Sequence, residues 1–120
     1  MEEKDAYQIR TSMNDGIIEI VVTGKVTTHN VCEFQKETNS IRATKGEMIL
    51  LDVRALTDKS LDSFYPVRRP EIAIGKTAVV DYPEYEYLKS SWESIAKTTP
   101  MKIKWFSNIK DAKEWLKIQD

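Results

Sequence analysis

The sequence predicts an α/β fold on a mixed sheet of about five strands, and three observations carry the prediction. Two β-prone runs, Tyr7 to Ser12 and Ile17 to Thr23, flank Asp15-Gly16. Further down the chain come Met48 to Val53, Thr77 to Val80 and Met101 to Phe106, each short and apolar enough for a strand. Between these runs, apolar residues recur at helical spacing. Strands that alternate with helices require parallel crossovers, so an antiparallel hairpin should open an otherwise parallel sheet.

Each element has a local cause. Asp15-Gly16 tolerates the positive φ angles of a tight hairpin, with Met13 to Gly16 expected as the connection. In the second strand Ile18, Ile20 and Val22 alternate with Glu19, Val21 and Thr23, which gives one apolar side and one partly polar side. Gly24 ends that strand. Thr27 or Thr28 then suits a helix cap, and Val31, Phe34, Thr38 and Ile41 mark the inner side of a helix reaching about Ala43. The run at Met48 is expected to end near Asp52, and the run at Thr77 ends at Asp81. Tyr85, Leu88, Trp92, Ile95 and Ala96 form an apolar helical stripe before the last strand, in which Ile103 and Trp105 oppose Lys102 and Lys104. Ser107 or Asn108 caps the closing helix, with Asp111 in its first turn and Ile109, Ala112 and Leu116 facing inward beside Trp115. Pro66 and Pro70 prevent one continuous helix over Leu56 to Lys76, although Pro70 to Gly75 could supply a helical turn.

Composition narrows the function classes. The chain has 120 residues, 18 of them basic and 19 acidic, for a net charge of -1. The halves are balanced as well, with 8 basic and 10 acidic groups in residues 1–60 and 10 and 9 in residues 61–120. That balance argues against the basic surface which nucleic-acid binding needs. A single cysteine excludes a disulfide within the chain and fits a reducing, cytoplasmic setting. The first residues are acidic and lack a secretory apolar core, so residues 1–6 read as a tail on one domain. The longest aliphatic run, Met48 to Leu51, is far too short to span a bilayer.

Motifs for chemistry are sparse. Gly75-Lys76-Thr77 has the letters that end a phosphate loop, but Pro70 stands where the first glycine belongs and a strand follows instead of a helix. His29 and Cys32, with Glu33 beside them, have helical spacing for a metal pair or a thiol–imidazole pair. A stable zinc site needs three or four ligands, and the chain holds no second His or Cys. No metal or cofactor is therefore expected. Asp52 and Asp81 each close a core strand at the end where open α/β sheets gather ligands, and each equally suits a turn. Glu84 and Glu86 read as solvated charges at a helix start, and Tyr82, Tyr85 and Tyr87 as partly exposed. Lys110, Lys113 and Lys117, with Lys102 and Lys104, read as the wet side of amphipathic elements.

The order hairpin, helix, buried strand ending in Asp52, Thr77 to Val80, and the closing run Lys104 to Leu116 resembles the SpoIIAA-like proteins of the STAS superfamily, relatives of anti-sigma factor antagonists. The most telling piece is the strand ending in Phe106, then the polar cap, then the helix carrying Ala112 and Trp115-Leu116. The resemblance covers residues 7 to 118 and implies helices packed mainly on one face of the sheet. It also implies a non-enzymatic regulatory or protein-binding module whose partner contacts the Leu56 to Lys76 segment. In the regulatory branch a serine after the central strand is phosphorylated. Asp58 and Ser60 align with that motif, while Lys59 takes the place of the first paired serine and Leu61 that of the following glycine. The SpoIIAA-like branch also includes proteins resembling carriers of apolar molecules. On that reading Phe64, Tyr65, Trp92 and Trp105 line a slot between helices and sheet. The expected partners are thus a regulatory protein or a small apolar, lipid-like ligand, with a homodimer as a further assembly.

Overall fold

The computed structural model describes residues 7–27, 30, 33–34, 36–37, 40, 48–57, 75–94 and 102–118. In chain order the elements are β1 (Tyr7–Asn14), β2 (Ile17–Gly24), β3 (Met48–Leu56), β4 (Lys76–Val80), a 3-10 helix (Pro83–Leu88), α1 (Lys89–Ser94), β5 (Lys102–Phe106) and α2 (Ile109–Lys117). They form one five-stranded sheet in the order β1-β2-β3-β4-β5. The β1–β2 pair is antiparallel and every later pair is parallel, as the sequence pattern predicts.

The hairpin is tighter than expected. Asn14 pairs with Ile17, so Met13 and Asn14 belong to the strand and the turn is Asp15-Gly16 alone. Their φ angles of 62° and 79° are those of a two-residue turn whose twist matches the strands. After β2, Glu33, Phe34, Lys36, Glu37 and Ser40 are helical. Asn30 ties down the approach to this segment: its side-chain oxygen accepts from the Thr27 N–H at 2.8 Å and its amide donates to the Lys25 carbonyl at 3.1 Å. Thr28, Val31, Thr38 and Ile41 lie outside the described residues.

The apolar stripe from Tyr85 does not form one continuous helix. Pro83 opens a 3-10 helix, Tyr85 leaves helical geometry at φ −100° and ψ 17°, and α1 follows. Asn108 caps α2 as its side chain suggests, accepting from the Asp111 N–H at 2.8 Å.

The central strands of the sheet are buried on both faces. One face packs Ile18, Ile20, Val22, Ile49, Val53 and Val79 against Phe34, Leu88, Trp92 and Trp105. The other packs Ile17, Leu50, Ala78 and Val80 against Ala112 and Leu116 of α2, with Trp115 and Phe106 closing its edge. Most helical segments therefore share the first face and α2 takes the second. Each buried Val, Leu or Ile contributes about 1.5–3 kcal/mol, so burial on both sides of β3 and β4 makes them the anchor of the sheet.

Long-range contacts give several lysines roles that the sequence does not show. Lys76 begins β4, and its ammonium donates to the Trp115 and Ile118 carbonyls at 3.1 and 2.5 Å. It also lies 5.0 Å from the centre of the Trp115 ring. The residue that mimics a phosphate-loop lysine thus caps the C-terminal end of α2. Lys113 pairs with Glu19 at 2.7 Å, and Lys117 pairs with Asp15. These members of the lysine stripe fasten α2 to the hairpin.

Candidate functional site

The polar side chains that the fold gathers lie at the C-terminal ends of β3 and β4. Between Val21↔Asp52 and Thr23↔Ala55, β3 holds one more residue than β2, which is a β-bulge. Such a bulge frees backbone groups from the ladder and re-aims side chains. Here the Arg54 N–H donates to Asp52 Oδ1 at 3.1 Å. The Arg54 side chain closes on the same carboxylate twice, Nε to Oδ1 at 3.0 Å and Nη2 to Oδ2 at 2.8 Å. Asp52 is buried, whereas the Arg54 side chain is 38% exposed, so the pair runs from interior to surface. These bonds hold the Arg54 guanidinium above its ordinary pKa, and the nearby Asp81 charge adds to them.

β3 continues past Asp52 to Leu56, further than the apolar run alone predicts, with Arg54 bonded to the aspartate that interrupts the run. Thr57 then seals the strand end: its N–H and hydroxyl donate to the Gly24 carbonyl at 2.8 and 3.1 Å. One strand over, Asp81 is buried directly after β4. Its N–H donates to the Phe106 carbonyl at 3.1 Å, and its Oδ1 accepts from the Tyr82 N–H at 2.8 Å. That turn delivers the chain to Pro83 and leaves Tyr82 47% and Tyr87 71% exposed. Glu84 and Glu86 are exposed between them. Asp52 thus organises a bulge and Asp81 a turn, and both stand at the C-terminal end of the parallel strands.

Of the residues expected in a ligand slot, Trp92 and Trp105 do come together, at 5% and 6% exposure in the first core cluster. The Trp105 N–H of the backbone donates to Glu93 Oε2 at 3.0 Å, while its indole N–H is buried and meets no hydrogen-bond partner among the described residues. Phe64 and Tyr65 lie outside the described residues, as do Asp58, Ser60, His29 and Cys32. Among the described residues no three His, Cys, Asp or Glu side chains gather in a way that could hold a metal ion, and no helix is long and apolar enough to cross a membrane. Sequence reasoning missed Arg54. Its signal was the Asp-Val-Arg spacing, which places acid and base on one side of an extended strand.

Solved structures share this architecture. An anti-sigma factor antagonist from Mycobacterium paratuberculosis superposes with a TM-score of 0.62 at 16% identity, covering 95% of this chain and 97% of that one. An uncharacterized protein of the DUF3478 family with a SpoIIAA-like fold, from Shewanella loihica PV-4, gives 0.59 at 18% identity, covering 92% and 93%. The fold is SpoIIAA-like. No protein-family model matches the chain, and no curated protein does. At these identities the likeness reports how the backbone is arranged, and it agrees with the resemblance carried by the closing strand and helix. In this SpoIIAA-like fold the bulged end of β3 and the Asp81 turn stand side by side, since Asp52 pairs with Val80 toward the C-terminal ends of β3 and β4.

Proposed function

We propose that this SpoIIAA-like domain is a non-enzymatic regulatory module that binds a protein partner at the C-terminal edge of its parallel strands. The observation that carries the reading is the exposure of Tyr82 directly after β4, within electrostatic reach of a guanidinium already oriented by Asp52, with Tyr87 exposed on the 3-10 helix that follows. Tyrosine and arginine are the residues on which protein interfaces concentrate their binding energy, and a pre-oriented arginine loses little entropy on docking. The chain leaves β3 through Thr57 at the same edge, and Asp58 and Ser60, the next residues in sequence, are assigned to the proposed contact surface, with Ser60 as candidate phosphoacceptor. A phosphate there would add charge beside the docking surface and change partner affinity.

Affinity capture of the tagged chain from native lysate, paired with the Tyr82→Ala/Tyr87→Ala variant, tests this. The expected result is one stoichiometric protein held by the wild type and lost by at least about tenfold in the variant, given about 2 kcal/mol or more for an anchoring aromatic. Equal capture by both, or no stoichiometric protein at all, contradicts it. Phosphopeptide mapping of the recovered chain reads Ser60 directly.

A second reading, carriage of a small apolar or lipid-like ligand, is favoured by the buried indole N–H of Trp105, a donor that a bound polar head group would satisfy. Native mass spectrometry separates the two: a lipid-sized adduct supports the carrier, and a bare 13.9 kDa mass supports the module.

A further inference from the structure

The two edges of the sheet are built differently. β5 is five residues long and exposes Lys102 and Lys104, the charges with which proteins commonly guard an edge. β1 is eight residues long, has no proline, and carries a single charge, at Arg10. No described strand pairs with its outer side. From Thr11 to Asn14 its side chains are exposed on both faces, and Met13 is 53% exposed. Such an edge presents a row of backbone donors and acceptors to another strand.

We propose that β1 pairs antiparallel with β1 of a second copy, joining the two sheets into one. The strand's own sequence selects the register. A twofold axis normal to the sheet keeps residues of one face opposite residues of the same face. With the axis at Arg10, two guanidinium groups would stand directly opposite each other, which is destabilising. With the axis at Thr11, Arg10 faces Ser12, Gln8 faces Asn14, and Ile9 faces Met13 of the other copy. Tyr7, Ile9, Thr11 and Met13 share the face of the first core cluster, where Ile9 already packs and Met13 pairs with Ile18. The exposed Met13 is then covered by Ile9 of the second copy, and the apolar surface of that face runs on across the junction. Moving the axis to Ile9 shortens the overlap and leaves Met13 bare. The pairing therefore centres on Thr11.

Sedimentation of the full chain over a range of concentrations tests this, with Thr11→Lys as the disrupting variant. Thr11 is exposed, so the variant should keep the wild-type circular dichroism while opposing two ammonium groups at the axis. The wild type should approach the dimer mass as concentration rises, and Thr11→Lys should weaken self-association by about tenfold or more. In a Cys32→Ser background, Thr11→Cys should oxidise to a covalent dimer, since opposed Cβ atoms stand about 5 Å apart. Gln8→Cys should not, its two copies lying about 20 Å apart in this register. A monomer at every concentration, self-association unchanged by Thr11→Lys, or cross-linking through position 8 in preference to 11 overturns the proposal.

Discussion

Tyr7 shows how one hydroxyl can link two elements and give the fold a pH limit. Its side chain meets the Phe34 ring edge-on at 5.4 Å, and its hydroxyl donates to Glu37 Oε1 at 2.5 Å. Burial raises the pKa of the phenol first, and the Glu37 carboxylate then raises it further by hydrogen bonding and repulsion, with Glu33 adding to the effect. The fold therefore favours the neutral phenol. A group whose folded pKa lies above its unfolded value stabilises fully below the unfolded value, about 10 for tyrosine, and that contribution is lost as pH rises beyond it. In urea denaturation Tyr7→Phe should cost about 1 kcal/mol at neutral pH and flatten the loss of stability that the wild type shows above about pH 10. An unchanged alkaline profile would mean that the hydroxyl bond is not formed in solution. Nothing in the sequence pairs Tyr7 with Glu37, since the contact joins residues 30 positions apart. Asp52 and Arg54 stand differently, for their proximity was readable from two-residue spacing, while the bulge that turns them into a closed pair depends on the register with β2.

Among the elements, the strands were the most legible because their pattern is local. The Asp15-Gly16 turn, the alternation in β2 and the apolar cores of β3 and β4 all follow from neighbouring residues, as does the Asn108 cap. The 3-10 helix from Pro83 was less so: Tyr85, Leu88 and Trp92 have helical spacing, and only the φ and ψ of Tyr85 reveal the break. For Lys76 the local pattern was enough to reject a phosphate loop, because Pro70 replaces the glycine and a strand follows, but its role against the end of α2 joins residues 39 positions apart and was not readable. Replacing Lys76 by Met keeps most of the stem that packs on Trp115 and removes the donor to the α2 carbonyls. Its expected cost is about 0.5–1.5 kcal/mol in denaturant unfolding, with α2 fraying from its C-terminal end in amide exchange. A variant as stable as the wild type, with α2 amides equally protected, would show that the ammonium does not cap the helix.

For the molecule as a whole, the alternation of elements was enough to predict a mixed five-stranded sheet, and a SpoIIAA-like arrangement of it is what the chain adopts. The placement of α2 on the face opposite the other helical segments was not foreseen, because a resemblance in element order does not say which side each crossover takes. Of the proposed docking surface, Tyr82 and Tyr87 were read as partly exposed, but the nearness of Tyr82 to Arg54 depends on β3 and β4 ending together. The account therefore rests on that strand-end edge being the place where a partner binds. Its most direct test is to install a photo-crosslinking amino acid at position 87, with position 110 on α2 as control, and irradiate the chain in native lysate. One discrete protein adduct from position 87 and none from position 110 is the predicted result. No adduct at 87, or the same adducts from both positions, would contradict it.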